Sequence, residues 1–371
     1  MSTTIAPLFT PYTLGHKQLA NRLAVAPMTR ISAEEDGTVG ALMPSYYEAF
    51  AQGGFGLIIT EGLYSDEHYS QGYYRQPGMA NAMHSHSWAP VVQRIHAHDT
   101  HVIAQLMHAG ALSQHNRFNP TTIAPSAVVP MGEQMTFYHG KGAYPTPRAM
   151  AVDDIDTAIK GFANAAQQAK AAGFDGVEIH GANGYLLDQF LTTYTNTRSD
   201  HYGGDIHARL HIYRDVIRAV KHAVGDAFIV GVRVSQKKVN DQTYVWPGGE
   251  RDAQALFEMI GQCGAHYIHT TEPMLDQPAF EQGASLAFLA KKYSQLPVIA
   301  NGGVAHAAMA TAALADQHGD IIALGKAALA NPCWPAIVRE HGVLADFDYD
   351  MLAPTANLET ANDYHRALTS H

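Results

Sequence analysis

The stretch Gly176-Val177-Glu178-Ile179-His180, continued by Gly181-Ala182-Asn183-Gly184-Tyr185-Leu186-Leu187-Asp188-Gln189-Phe190-Leu191, decides how the chain is read. A short apolar run bounded by glycines reads as a buried strand, and the turn after it leads into a second apolar segment. His180 falls at the C-terminal end of that strand, with Asn183 and Tyr185 close behind it. An imidazole, an amide and a phenol can therefore converge on one small ligand, two holding an oxygen while the third donates a proton.

The same rhythm repeats outward in both directions. Short apolar runs ending in polar or glycine residues predict strands over 23–26, 57–60, 102–106, 176–180, 229–234, 267–270, 297–300 and 321–324. Apolar residues spaced i, i+3, i+4 predict helices over 153–172, 206–224, 252–263 and 285–293. Eight strands alternating with helices suit a closed (β/α)8 TIM barrel. An open, doubly wound sheet alternates in the same way, so the pattern alone does not prove closure. The longest irregular stretch, about 109–148, is rich in Gly, Pro, His and Met and follows the third strand. It reads as an insertion within one domain spanning 1–371, lying over the site as a lid, because βα loops build the active-site face of a barrel.

Composition narrows the function classes. The 371 residues carry a formal net charge of -10, which argues against nucleic acid or an anionic membrane as partner. Cys263 and Cys333 are the only cysteines, far apart, so neither a disulfide framework nor an iron–sulfur cluster is expected, and a reducing cytoplasm fits. Residues 1–14 lack the basic and apolar regions of a secretion signal, and no run approaches the ~20 apolar residues that span a bilayer.

Taken singly, each site residue has an ordinary explanation. His180 is readable as a hydrogen-bonded structural histidine, Asn183 as a turn former and Tyr185 as a half-buried helix residue. Their combination is another matter. With Asn196-Thr197-Arg198-Ser199-Asp200-His201-Tyr202-Gly203-Gly204 and the earlier Asn21-Arg22-Leu23-Ala24-Val25-Ala26-Pro27-Met28-Thr29-Arg30, the segment resembles the Old Yellow Enzyme family, and the likeness extends from Leu8-Phe9 to residues 325–332.

The resemblance implies a barrel holding non-covalent FMN at the strands' C-terminal ends, NADH or NADPH as electron donor, and an activated alkene as substrate, either an α,β-unsaturated carbonyl or a nitroalkene. The residues matching His180 and Asn183 are expected to hydrogen-bond the activating oxygen, stabilising charge that develops in the transition state, and Tyr185 to protonate Cα. A tyrosine of ordinary pKa stays protonated at neutral pH, as a general acid must. Ala26, Pro27, Met28 and Thr29 are expected against the flavin, with the Thr29 hydroxyl on its O4. Gly62 leaves room beside the pyrimidine edge, and Gln105 pairs with it through its amide. Arg233, an arginine inside a Val- and Gly-rich strand, is expected at N1/O2, the alternative being a structural ion pair with a neighbouring carboxylate.

Phosphate is expected at Gly302-Gly303 and Gly325-Lys326, in the loops after strands seven and eight. Lysine at 326 departs from the arginine commoner in the family, a point charge in place of a bidentate fork. No GxGxxG follows a strand, so the nicotinamide is expected to bind over the flavin without a Rossmann domain, giving ping-pong kinetics. The extra iron–sulfur and FAD domain of some bacterial members is not expected, given the length and the cysteine count. NAD(P)H oxidase or quinone, flavin or nitro-compound reduction needs the same flavin but not Tyr185, and a non-catalytic flavin-binding protein is the remaining alternative. The histidines at 84, 86, 96, 98 and 101 invite a metal reading, but without a matching carboxylate or thiolate cluster they are assigned to a solvated helix and turn, and no metal is expected. A monomer and a homo-oligomer are equally compatible with the sequence.

Overall fold

The computed structural model describes residues 4–369. Eight parallel strands form the barrel: β1 (Leu23–Val25), β2 (Leu57–Ile59), β3 (His101–Met107), β4 (Gly176–Asn183), β5 (Ile229–Lys238), β6 (Tyr267–Thr271), β7 (Val298–Asn301) and β8 (Ile321–Leu324). Each overlaps its expected range. β8 pairs with β1 through Ile322–Leu23, Ala323–Ala24 and Leu324–Val25, which closes the barrel and excludes the open sheet.

Helices α1 (Met43–Gln52), α2 (Ala82–His96), α3 (Val152–Ala172), α4 (His211–Val224), α5 (Glu250–Gln262), α6 (Leu286–Ser294), α7 (Ala307–Ala315) and α8 (Trp334–Arg339) follow the strands in turn. The helix expected over 206–224 is divided at Leu210 into Ile206–Arg209 and α4. The division turns Arg209 inward, where its guanidinium donates to the carbonyls of Leu191 at 2.8 Å and Gly204 at 2.5 Å.

Strand alternation separates two cores. Leu23, Val25, Ile322 and Leu324 face the helices, whereas Ala24, Ile321 and Ala323 join Leu57, Ile59, Ile103 and Ile299 inside the barrel. The same parity governs β4, where Val177 and Ile179 pack outward. Glu178 and His180, offset by one, therefore share the inward face. Above its aliphatic floor the barrel is filled by a polar layer rather than by more Val and Ile, and that layer is the base of the site.

The lower, N-terminal end is organised around Asp175, which is buried just before β4. Its carboxylate accepts from Lys17 Nζ at 2.9 Å, His96 Nε2 at 2.8 Å and the Val102 N–H at 2.9 Å, and His101 Nδ1 stands 3.2 Å away. Part of the histidine-rich sequence thus does have a carboxylate partner, supplied by a distant strand, and an ammonium group shares it. His84 is fully buried rather than solvated, its ring held by the Tyr64 hydroxyl at 3.1 Å, the Asp36 carbonyl at 2.9 Å and the Ala80 N–H at 3.1 Å. Among the described residues no group of three or more potential ligands is arranged to hold a metal ion. No helix among them is long and apolar enough to cross a membrane.

The 109–148 excursion leaves the top of β3. It contains the turns Gly110–Leu112 and Thr136–Tyr138, and its Ile123–Ala124 pairs in parallel with Arg148–Ala149 just before α3.

Candidate active site

A cleft of about 720 Å³ opens at the C-terminal ends of the strands. Its floor is the polar layer. Glu178 is fully buried and accepts three hydrogen bonds, from Gln105 Nε2 at 2.8 Å, Tyr267 Oη at 3.0 Å and His269 Nδ1 at 2.9 Å. Burial pushes its pKa up, but the His269 imidazole and the Arg233 charge more than reverse this, so it is a carboxylate. Burial pushes His269 the other way, below its ordinary value, and the Glu178 charge opposes this, with Nδ1 on the carboxylate.

Arg233 sits opposite His180 in the β4–β5 register. Its Nη2 donates to Asn301 Oδ1 at 3.1 Å, while its Nε is buried without any partner. The structural ion pair considered for this residue does not form among the described residues, although Glu178 lies close enough to act on its charge. An unpartnered buried guanidinium N–H is costly, and Arg233 is one of the residues that line the cleft.

The left lip is built by the end of β4 and its turn. His180 is buried, its Nδ1 accepting weakly from the Ala182 N–H at 3.4 Å. Burial, then the Arg233 charge, lowers its pKa to about 3, so it is a neutral imidazole throughout the physiological range. Asn183 takes a left-handed backbone conformation, φ +62°, with its N–H on Ser235 Oγ at 2.9 Å. That kink ends the strand and turns Tyr185 back toward His180, whose ring it meets edge-on with centroids 5.0 Å apart. The Tyr185 hydroxyl lies 2.5 Å from that of Tyr73, a fully buried residue of the loop after β2.

Ala26, Pro27, Met28 and Thr29 follow β1 along the near wall, and Thr29 accepts the Tyr138 hydroxyl on its backbone carbonyl at 3.2 Å. At Gly62 a side chain would run into Met107, its Cβ 2.6 Å from the sulfur. Gln105 donates one of its two amide N–H groups to Glu178 and its carbonyl oxygen lies beside Gly62, so a second N–H and the oxygen are left for a ligand.

At the far end Gly302 and Gly303 lie against the loop after β6, where Cβ atoms would stand 2.3 Å from the Glu272 carbonyl and 2.2 Å from Met274 Sδ. Gly303 also has φ +67°, open to glycine without strain. Gly325 and Lys326 begin the short helix Lys326–Ala330. The Lys326 ammonium hydrogen-bonds the Tyr349 hydroxyl and lies 4.7 Å over that ring.

Several lining groups escaped the sequence reading. Met135, Phe137 and Tyr138 come from the 109–148 excursion, Glu272 and Pro273 from the end of β6, and Leu344 to Phe347 from the segment beyond α8. The last of these lies past the reach of the family resemblance, and a Glu-Pro dipeptide in a loop has no periodicity to announce it.

The family model for NADH:flavin oxidoreductases / NADH oxidases matches residues 7–344. The chain is 30% identical over 347 residues to the NADH oxidase of Thermoanaerobacter brockii, covering 90% of this chain but only half the length of that relative. Among solved structures, morphinone reductase in complex with tetrahydroNAD superposes with a TM-score of 0.82 at 32% identity, covering 93% of each chain. The old yellow enzyme homologue of Zymomonas mobilis gives 0.86 at 28% identity, covering 96% of this chain and 99% of its own. Closed barrel, polar floor and full-length likeness agree: the chain belongs to the NADH:flavin oxidoreductase / NADH oxidase family, the Old Yellow Enzyme family of FMN-dependent, NAD(P)H-dependent oxidoreductases.

Proposed function

We propose that this FMN-dependent ene-reductase works through His180, Asn183 and Tyr185 as a hydrogen-bonding and proton-donating triad over a flavin seated on Arg233, Gln105, Gly62 and Thr29. The observation that carries the reading is the unpartnered, buried Arg233 Nε on the floor of the same cleft whose lip bears those three side chains. The residues fit the cofactor. Arg233 offers a positive charge and a free N–H to an electron-rich ring edge, Gln105 offers a carbonyl acceptor, and Gly62 removes the side chain that would fill the space between.

Bound FMN, reduced by NADH or NADPH, supplies a hydride to the β-carbon of the activated alkene. The remaining work falls to the chain. The neutral imidazole of His180 and the amide of Asn183 hold the carbonyl or nitro oxygen as donors, strengthening as negative charge accumulates there. Because His180 is already desolvated, it does not have to shed water or a proton to take up that role. Burial raises the pKa of Tyr185 further above its ordinary value, which keeps the phenol protonated until a basic carbon appears beside it.

Gly302, Gly303 and Lys326 would hold the phosphate, Lys326 with the N–H donors that its Tyr349 contact leaves free. Met135, Phe137 and Tyr138 give the 109–148 excursion the role of a roof that sets substrate shape. The domain is taken as single, 1–371, and nothing in the reading requires a nucleic-acid or membrane partner.

The test is anaerobic. NADH or NADPH is added to the purified flavoprotein, the visible flavin band is followed, and 2-cyclohexen-1-one is then added. Wild type is expected to bleach and recover, while Tyr185→Phe bleaches normally and recovers ~10²–10⁴-fold more slowly. Normal recovery in the variant removes Tyr185 as the acid, and failure to take up FMN removes the reading as a whole.

A further inference from the structure

The Tyr73–Tyr185 contact has no place in the scheme above, which needs only one phenol. Tyr185 lines the cleft and Tyr73 does not. Both rings are buried, and among the described residues each hydroxyl has the other as its hydrogen-bonding partner, at 2.5 Å. Tyr73 is held firmly. Its N–H reaches Gln76 Oε1 at 3.3 Å, its carbonyl accepts from Gln71 Nε2 at 3.2 Å, and Gln76 in turn donates to the Gly62 carbonyl at 2.6 Å. Its ring is tilted against Tyr138, with centroids 4.8 Å apart. The loop that carries Tyr73 is thus fastened to the same glycine that borders the cleft.

Two hydroxyls facing each other share one hydrogen bond, so one proton lies between them and the other is free to point elsewhere. Behind Tyr185 lies Tyr73, and in front of it lies the cleft. If Tyr185 donates backward, its proton is turned away from the substrate. If Tyr73 donates, the Tyr185 proton is left to point into the cleft, and the oxygen it will vacate already accepts a hydrogen bond.

We infer that Tyr73 is a positioning residue for ene-reduction, donating its hydroxyl proton to Tyr185 Oη so that the Tyr185 proton faces Cα and the phenolate left by its transfer is stabilised. The inference rests on the reading of Tyr185 as the acid. In the step itself the Tyr185 O–H bond breaks, its electron pair stays on Oη beneath the Tyr73 donor, and the proton joins the electron pair released at Cα as hydride arrives at Cβ. A proton from water then restores Tyr185, so that alkene, NAD(P)H and one proton give alkane and NAD(P)⁺. Burial is the largest influence raising the Tyr185 pKa, and the hydrogen bond shared with Tyr73 is the first influence opposing it.

The test compares two oxidants of the same reduced holoenzyme in Tyr73→Phe. 2-Cyclohexen-1-one requires a proton at carbon, whereas 1,4-benzoquinone receives its protons on oxygen. Bleaching by NADH and recovery with benzoquinone are expected within twofold of wild type, and recovery with cyclohexenone about ten- to a hundredfold slower, the range set by losing a hydrogen bond to a developing charge. Tyr73→Met, which fills the space without a donor, is expected to show the same ratio of enone to quinone rates. That ratio is internal to each preparation and is read on whichever variant retains FMN. Enone recovery at the wild-type rate in either variant overturns the inference, as does equal slowing with both oxidants, which would mark Tyr73 as structural only. A Tyr185→Phe enzyme that recovers normally with enone instead overturns the acid assignment beneath it, and so separates the two failures.

Discussion

The two ends of this barrel treat buried charge in opposite ways. At the lower end Asp175 accepts from Lys17, His96 and the Val102 N–H, and its carboxylate is saturated. At the upper end Arg233 has one side-chain partner, Asn301, and an Nε with none. Both are buried ionised groups, Asp175 just before β4 and Arg233 within β5, yet one is closed and the other open. The difference teaches how to tell a stabilising charge from a binding one: a saturated charge has its counter-groups in the chain, and an unsaturated one is waiting for them. Stability sits at the N-terminal face and chemistry at the C-terminal face, as barrel geometry encourages.

The contrast is broken most sharply by removing the open charge. Arg233→Met is expected to raise the FMN dissociation constant about a hundredfold, the equivalent of a charged hydrogen bond of ~3 kcal/mol, while leaving thermal unfolding of the FMN-free protein unchanged or slightly improved. Apo-protein titrated with FMN and followed by flavin fluorescence decides it; unchanged affinity means that the open charge is not a cofactor contact.

Asp175→Asn should do the reverse. A loss on the order of 1–3 kcal/mol of stability is expected at pH 7, seen as a melting temperature lower by a few degrees, with FMN affinity preserved. The pH dependence has a definite sign. Folding holds the Asp175 carboxyl below its ordinary value near 3.8, despite burial, through His101, His96, Val102 and Lys17. Its contribution is therefore present above about pH 4 and is lost as pH falls below that, so the gap between variant and wild type should narrow in acid. A gap that widens on acidification contradicts the assignment.

The smallest expected effect concerns the phosphate end. Lys326→Arg replaces a point charge by a fork and should tighten FMN about tenfold. An unchanged or weaker dissociation constant places the phosphate elsewhere.

Much of this was legible in the sequence, and for identifiable reasons. The barrel strands announce themselves because each is a short apolar run between turns, and β4 and β5 point to His180 and Arg233 because these interrupt such runs with polar groups that need partners, whereas Glu178 on the same strand drew no expectation. What the sequence hid are relations between loops. Tyr73 meets Tyr185 across 112 positions, and nothing local to Gly72-Tyr73-Tyr74 marks which tyrosine turns inward. Gln105 was recognisable as a barrel residue, but that one of its N–H groups goes to Glu178 on the neighbouring strand is decided by pairing rather than by composition. The aromatic cover on Lys326 comes from a segment beyond α8 with no motif at all. Likewise the break at Leu210 follows from where Arg209 finds carbonyls, not from a helix-breaking residue.

The left-handed backbone at Asn183 limits what evolution can write there. At φ +62° most side chains are strained, and glycine, asparagine, aspartate and histidine adopt such a torsion most readily. Glycine brings no donor, and aspartate brings a negative charge to a place where negative charge must accumulate. On the proposed reading, an amide or an imidazole best satisfies the turn and holds the substrate oxygen together. Shape and charge thus act together on one residue, and a library randomised at 183 should be enriched in asparagine and histidine among its active clones.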